Sequence, residues 1–528
     1  LLGAGGHDVE DVLQRLAGEE ILEQRRDSRF PGEREVRFRH ALMRDAAYGL
    51  LTADDRADGH RAAAQYLEAC GEPDALVLAE HFHQGREAAR AISYYVQAAE
   101  QSYETNDMAA VLACAERGLR CGAQGAQRGA LLSLEVAVYL GREQNAEALV
   151  AGNEAIDLLP EGSKLWCRAF QHLFPVAALT HQVALLAELS SRFARVEPSA
   201  EARGEYVRAA TWLSIMLSIT GQKVAARAFL TRIRPICAGL DRSELAWTYL
   251  HGAESMDQHL LEEAPWACML SNGEGARLLG VAGEQRVHSL LYTHYGKALH
   301  DLGDRAAAEA ALRNSLAAAE RLNQPLVVAY AKTYLAWLLA GSAPTAELDE
   351  SAQLARDAIA AKNLSLLGVA HGVLAEIMRR RGDLPGAEAE ARVACEAARP
   401  FPPYSWDLIA LRMQILIEQG RAAEALPIGD DAVRELERLG LSGSGELALR
   451  LALAEVHHAV GNTAAAAAAL GLALERLWIR VNGIPEGTAR ERYLTQVPVN
   501  ARLIALGRAW LGEEAVTPPN LGRPAGFA

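Results

Sequence analysis

Aromatic residues make up only 6% of the chain, and no run of about 18 uncharged apolar residues occurs in it. The nearest approach, "LVVAYAKTYLAWLLA" (Leu326–Ala340), carries Lys332 at its middle and reads as a buried helix. With no signal peptide either, no membrane partner is expected and the compartment is read as cytoplasmic. The seven cysteines are odd in number and form no C-x-x-C pair. That argues against a disulfide framework or a zinc site, and for a reducing environment. Clustered Lys and Arg are absent, and the net charge is −14, so no nucleic-acid partner is expected. Motifs for phosphoryl transfer are missing too. The only Gly-Lys pair, Gly296-Lys297, is followed by Ala298 instead of Ser or Thr, and there is no H-R-D loop or D-F-G. His81 and His83 are two residues apart and diverge on a helix, while metal ligands there stand three or four apart. The expectation is therefore no catalytic residue, no cofactor site and no metal site in this chain.

What is abundant is alanine, the best helix former, within a composition that is half hydrophobic. A ladder of turns orders it: "GREQNA" at Gly141, "GQKVAA" at Gly221, "GDRAAA" at Gly303, "GDLPGA" at Gly382, "GRAAEA" at Gly420 and "GNTAAA" at Gly461. The gaps are 80, 82, 79, 38 and 41 residues, which is one period near 40 with degenerate copies near 181, 262 and 343. "GREAAR" at Gly85 and "NDMAAV" at Asn106 extend the ladder toward the N-terminus. A Gly can close one helix in the left-handed conformation, and the Asp or Asn beside it can cap the next. Five residues after the Gly stand Ala308, Ala387, Ala425 and Ala466; twelve after it, Ser315, Ala394, Ala432 and Ala473; seven before it, Gly296, Ala375, Met413 and Ala454. Small residues at these offsets let two helices approach closely. The pattern resembles the tetratricopeptide repeat, with a longer period and poorly kept aromatic and proline positions. The fold expected is an all-α superhelical array of tetratricopeptide-like helical hairpins.

The N-terminal stretch differs. "HDVEDVLQRLAGEEIL" has helical spacing, and "ILEQRR" and "EVRFRH" read as short strands joined by "DSRFPGE" (Asp27–Glu33). With "FRHALMRDAAYGLL" and "LAEHFHQGREAARAISYYVQAAEQSYETND", this resembles a junction in bacterial STAND-type, AAA-like signalling ATPases. There a winged helix passes into a repeat array through F-x-H-x-L-x-R-D-x-x-Y, here Phe38, His40, Leu42, Arg44, Asp45 and Tyr48. Hinge packing is the expected role: Phe38, Leu42 and Tyr48 buried between hairpin and first repeat, with Arg44 paired to Asp45. "RERYLTQVPVNARLIALGRAWLG" (Arg490–Gly512) resembles the end of fusions of such ATPases with Ser/Thr protein kinases. The resemblance implies the C-terminal part of a longer protein, an expectation that the initial Leu also suggests. The implied domains are 1–55, the end of a winged helix and a junction helix; 56–480, the repeat array; 481–512, capping helices; and 513–528, a flexible tail.

In each hairpin the positions ten, six and three before the turn Gly share one face. By resemblance to tetratricopeptide repeats this face lines a groove. It carries Thr293, Lys297 and His300, then Glu376 and Arg379, then Glu455 and His458. The function expected is non-catalytic: sensing or recruiting a protein or peptide, including the parent's own kinase and ATPase domains. ATP and Mg would belong to those other domains alone. Two alternatives are the array of a STAND-type transcription activator or cyclase fusion, and an all-helical enzyme with a perturbed acid in a deep pocket.

Overall fold

The computed structural model describes residues 6–517, apart from 26–27, 29, 31, 33, 143, 242–244, 263, 283–284, 343–346, 362–363 and 441–442. The expected turn copy near 343, much of the Asp27–Glu33 turn and most of the 513–528 tail lie outside the described residues. The chain is an all-α array of tetratricopeptide-like hairpins, and it divides into two compact units, Leu1–Val176 and Ala177–Ala528.

The first unit opens with α1 (Gly6–Gly18) and an antiparallel hairpin of β1 (Leu22–Gln24) and β2 (Val36–Phe38). The register sets Leu22 opposite Phe38 and Glu23 opposite Arg37, an oppositely charged pair that forms a salt bridge. Then follow α2 (Ala41–Leu50), α3 (Ala53–Ala69), α4 (Ala75–Gln84), α5 (Ala88–Glu104), α6 (Met108–Arg120), α7 (Gly125–Gly141), α8 (Asn145–Leu158) and α9 (Lys164–Leu179). Thr52 and Asp55 form a reciprocal capping box at the start of α3.

The second unit runs α10 (Val183–Ala194), α11 (Arg203–Ile219), α12 (Lys223–Ala238), α13 (Leu245–Leu260), α14 (Pro265–Ala282), α15 (Gln285–Asp301), α16 (Arg305–Arg321) and α17 (Pro325–Ser342). It continues with α18 (Leu348–Ala360), α19 (Leu364–Arg380), α20 (Leu384–Ala398), α21 (Trp406–Glu418), α22 (Ala422–Arg438), α23 (Glu446–Ala459), α24 (Thr463–Asn482), α25 (Thr488–Thr495) and α26 (Pro498–Leu511).

The ladder of turns is present. Gly221, Gly303, Gly382, Gly420 and Gly461 all have φ between 73° and 84°. At each, the N–H of the following residue donates to the carbonyl five residues back, as in Asp304 to Leu299 at 2.9 Å and Asn462 to His457 at 2.8 Å. Asp304 and Asp383 then cap α16 and α20 by accepting from Ala307 N and Gly386 N. Ala308, Ala387, Ala425 and Ala466 are almost wholly buried, as are Ser315, Ala394 and Ala473. At Gly296 a Cβ would stand 2.8 Å from the Leu312 side chain, so this close crossing of α15 and α16 takes the smallest residue. Two rungs differ. Gly141 is the last residue of α7 and is not left-handed, and at the Gly85 rung the left-handed residue is Arg86. At the degenerate copy near 181, His181 takes the left-handed conformation.

The last hairpin holds a buried ionic clamp. Glu446, fully buried, accepts from Arg450 Nε at 2.8 Å and from Arg480 of α24. Around it Leu447, Leu451, Leu470, Leu477, Trp478, Tyr493 and Leu503 form one apolar cluster that joins α23 and α24 to α25 and α26.

Candidate functional site: an interior cavity of the second unit

The repeat array of the second unit comes round to meet itself. Lys223, at the start of α12, donates to the Gly440 carbonyl at 3.1 Å. Arg492 of α25 pairs with Asp304, the cap of α16. Trp266 and Met269 of α14 pack against the cluster formed by the last four helices. Two glycines permit the approach. At Gly443 a Cβ would overlap the Leu260 carbonyl oxygen at 1.6 Å, and at Gly445, with φ 85°, it would stand 2.7 Å from Asp407 N.

A cavity of about 250 Å³ remains where helices from the middle and the end of the unit meet. One wall is α15. Lys297 and Asp301 lie one turn apart, and Nζ reaches both carboxylate oxygens, at 2.6 and 2.8 Å. His259 of α13 holds Nδ1 3.6 Å from Asp301. Burial by itself would raise the Asp301 pKa, but Lys297, His259 and His300 outweigh it and hold the carboxyl below its ordinary value. Burial also pushes His259 down to about 3 and His294 and His300 down to about 4, so all three imidazoles are neutral at pH 7.

The facing wall is Asp407, in the first turn of α21, with the Ser444–Gly445 loop and the segment Gln496–Asn500 that begins α26. Trp337 and Tyr493 form aromatic sides. Burial pushes Asp407 up to about 6, against the opposing pull of Lys297. Among the described residues, no hydrogen bond or ion pair engages its carboxylate.

Lys297 and His300, two of the expected groove residues, line this cavity. Thr293 does not. It is fully buried, donates to the Ser289 carbonyl and meets Ser315 Oγ at 2.6 Å, so it faces α16 and not a groove. Glu376 and Arg379 form a bidentate pair at 2.8 Å, and Arg379 also reaches Glu418 of α21 at 2.5 Å. At the last hairpin the groove face is covered by the chain itself: Arg502 of α26 donates to Glu455 at 2.9 Å, and Trp510 stacks on His458 at 4.4 Å. Asp407, Trp337, Gly445 and Asn500 were missed. The "SGSG" loop at 442–445 was a local signal of close backbone approach, whereas the other three carry none.

The junction residues of the first unit depart from the expected hinge packing. Leu42 is 83% exposed, Phe38 37% and Tyr48 41%, and α2 has no buried residue. The helix stands clear of the repeats, and its link to them is polar. Tyr48 Oη is 2.8 Å from His60 Nε2, and His60 Nδ1 is 2.9 Å from His81 Nδ1. Arg44 does pair with Asp45, at 2.8 Å, with both exposed, and His40 is an exposed N-cap whose side chain makes no capping bond. His83 turns the other way, with Nδ1 3.0 Å from Cys121 Sγ.

No known sequence family matches the chain, and no curated protein matches it in sequence. Among solved structures it is similar to a Rap protein complexed with competence and sporulation factor, at 12% identity and TM-score 0.44, over 65% of this chain and 97% of that one. It is also similar to yeast Tom70, at 12% identity and TM-score 0.35, over 81% and 87% of the two chains. The third is the Cut9 and Hcn1 assembly of the APC/C, at 13% identity and TM-score 0.39, over 90% and 94%. All three scores lie under 0.5, and none adds to what the chain's own geometry says.

Proposed function

We propose that this chain is a non-catalytic regulatory region that binds a partner or signal, and that it serves a bacterial STAND-type ATPase fused to a Ser/Thr protein kinase. The observation that carries the sensing role is the cavity in the second unit, whose lining comes from between α14 and α17 on one side and from between α21 and α26 on the other. An occupant would bridge the middle and the end of the second unit's helices, so its binding energy would bias how tightly they close on each other. The parentage rests on the junction residues Phe38, His40, Leu42, Arg44, Asp45 and Tyr48. The exposed apolar side chains of α2, Leu42 and Leu50 among them, support it by offering a face to a neighbouring domain. Among the described residues, no helix is long and apolar enough to cross a membrane.

The test is ATP turnover by the purified chain beside the longer protein encoded with its upstream sequence. The expected result is turnover in the longer protein alone, altered by substitutions in the cavity. Equal turnover in both would overturn the reading.

A further inference from the structure

We infer that the cavity between α15, α21 and α26 binds one small organic cation, a guanidinium or ammonium group on a short apolar stem. The unengaged charged group on the wall facing α15 is an acceptor. Asp407 presents a carboxylate that no described residue engages, while the Lys297 ammonium is already held by both oxygens of Asp301. The Arg305 guanidinium is turned away, donating to the Leu338 carbonyl at 3.2 Å and to Glu347 at 2.9 Å. Asn500 spends its amide N–H on the Tyr493 carbonyl at 2.8 Å, which orients the side chain at the cavity edge. A carboxylate partly withdrawn from water, with no hydrogen bond or ion pair from a described residue and with the Lys297 charge already held by Asp301, is costly, and a ligand cation lowers that cost directly. Trp337 and Tyr493 provide the aromatic sides that favour a cation with a planar or apolar body. The volume of about 250 Å³ suits a molecule the size of an arginine side chain with its stem, and is too small for a nucleotide.

Two sources share this chemistry: a free amine, and the Lys or Arg side chain of a peptide. Both can be tried by titration calorimetry on the full chain. One arm uses agmatine and arginine, the other a Gly/Ser peptide with a single internal Arg. Saturation of one site per chain by either arm is expected, and the arm that binds names the source.

The charged and titratable groups facing Asp407 are Lys297, His300 and Asp301 on α15, Arg305 on α16 and Tyr493 on α25, with His259 of α13 behind Asp301. His300 and His259 stay neutral down to about 4 and 3, and burial pushes Asp407 up to about 6. Affinity is therefore expected to fall about tenfold between pH 7.5 and pH 5.0, as Asp407 gains its proton. Asp407→Asn should weaken binding at least tenfold at pH 7.5 and abolish that dependence. Its melting temperature at pH 7.5 should equal or exceed the parent chain's, because a partly buried, unpaired carboxylate is gone, so lost binding cannot be lost folding. No saturation in either arm, unchanged binding by Asp407→Asn, or preference for a dicarboxylate such as malonate would each overturn the inference. It rests on the sensing role proposed above but fails separately, since ATP turnover does not enter these measurements.

Discussion

Glu135 stands on α7 of the first unit at 4% exposure. Burial first, then the neighbouring charge of Glu116, push its carboxyl up to about 7, over the opposing effects of Arg128 and Tyr139. An acid whose folded pKa is raised carries a penalty that is absent below its unfolded value near 4.5 and complete above about 7. Glu135→Gln should therefore raise stability by about 1–3 kcal/mol at pH 8 and change little at pH 4. Thermal melts at the two pH values check this, and equal shifts at both would contradict it. Nothing in "LEVAV" marks this glutamate as buried, because burial here depends on which helix lies across α7. Asp407 shares that illegibility: its solvent is removed by a loop some forty residues further along the chain.

Turns between helices were far more legible, because their chemistry is local. A left-handed residue, a five-back backbone bond and a following cap all lie within one short segment, and Gly-Asp declares them. Where a residue other than Gly or Asn bears the strain, as at Arg86 and His181, the composition no longer marks the left-handed position. Gly382 and Gly303 separate strain from contact. A Cβ at Gly382 meets nothing within 4 Å, whereas one at Gly303 meets the Arg492 carbonyl oxygen at 3.0 Å and Gln496 Cβ at 3.1 Å. Gly382→Ala should cost about 1 kcal/mol from conformation alone, and Gly303→Ala should cost more. Denaturant titration of the two variants reads the difference.

The junction helix α2 offers a second test at this scale. His60 and His81 are both held below the ordinary histidine value, chiefly by burial. A proton on His81 Nδ1 removes the acceptor that faces His60 Nδ1, and charging both rings sets like charges against each other, so protonation loosens the contact that links Tyr48 to His81 through His60. The unfolded junction takes up protons first, so its stability is full above about pH 6.5 and is lost as pH falls. Hydrogen exchange across Ala41–Leu50 should accelerate between pH 7.5 and 5.5, after correction for intrinsic rates, and His60→Phe should remove the change.

At the scale of the second unit, closure was not legible. The period near 40 specifies neighbours along the chain, but contact between residue 304 and residue 492 depends on the accumulated rotation of every hairpin between them. The cavity inherits that difficulty, since its lining runs from Pro265 to Asn500. Arg492→Glu sets two negative charges against each other at Asp304, and should make the segment from Thr488 onward more sensitive to limited proteolysis while leaving helix content nearly unchanged. Unaltered cleavage would show that the apolar cluster alone holds the ends together.

Closure also bears on how this unit comes into being. An open solenoid can add or shed terminal repeats one at a time, because each depends only on its neighbours. Here α14 and α16 find part of their packing and pairing in helices made about two hundred residues later. The nascent chain can form hairpins in order, but it cannot seal the unit until α25 and α26 have left the ribosome. Folding should therefore end in a slow, long-range step, with a contact order well above that of an open helical array.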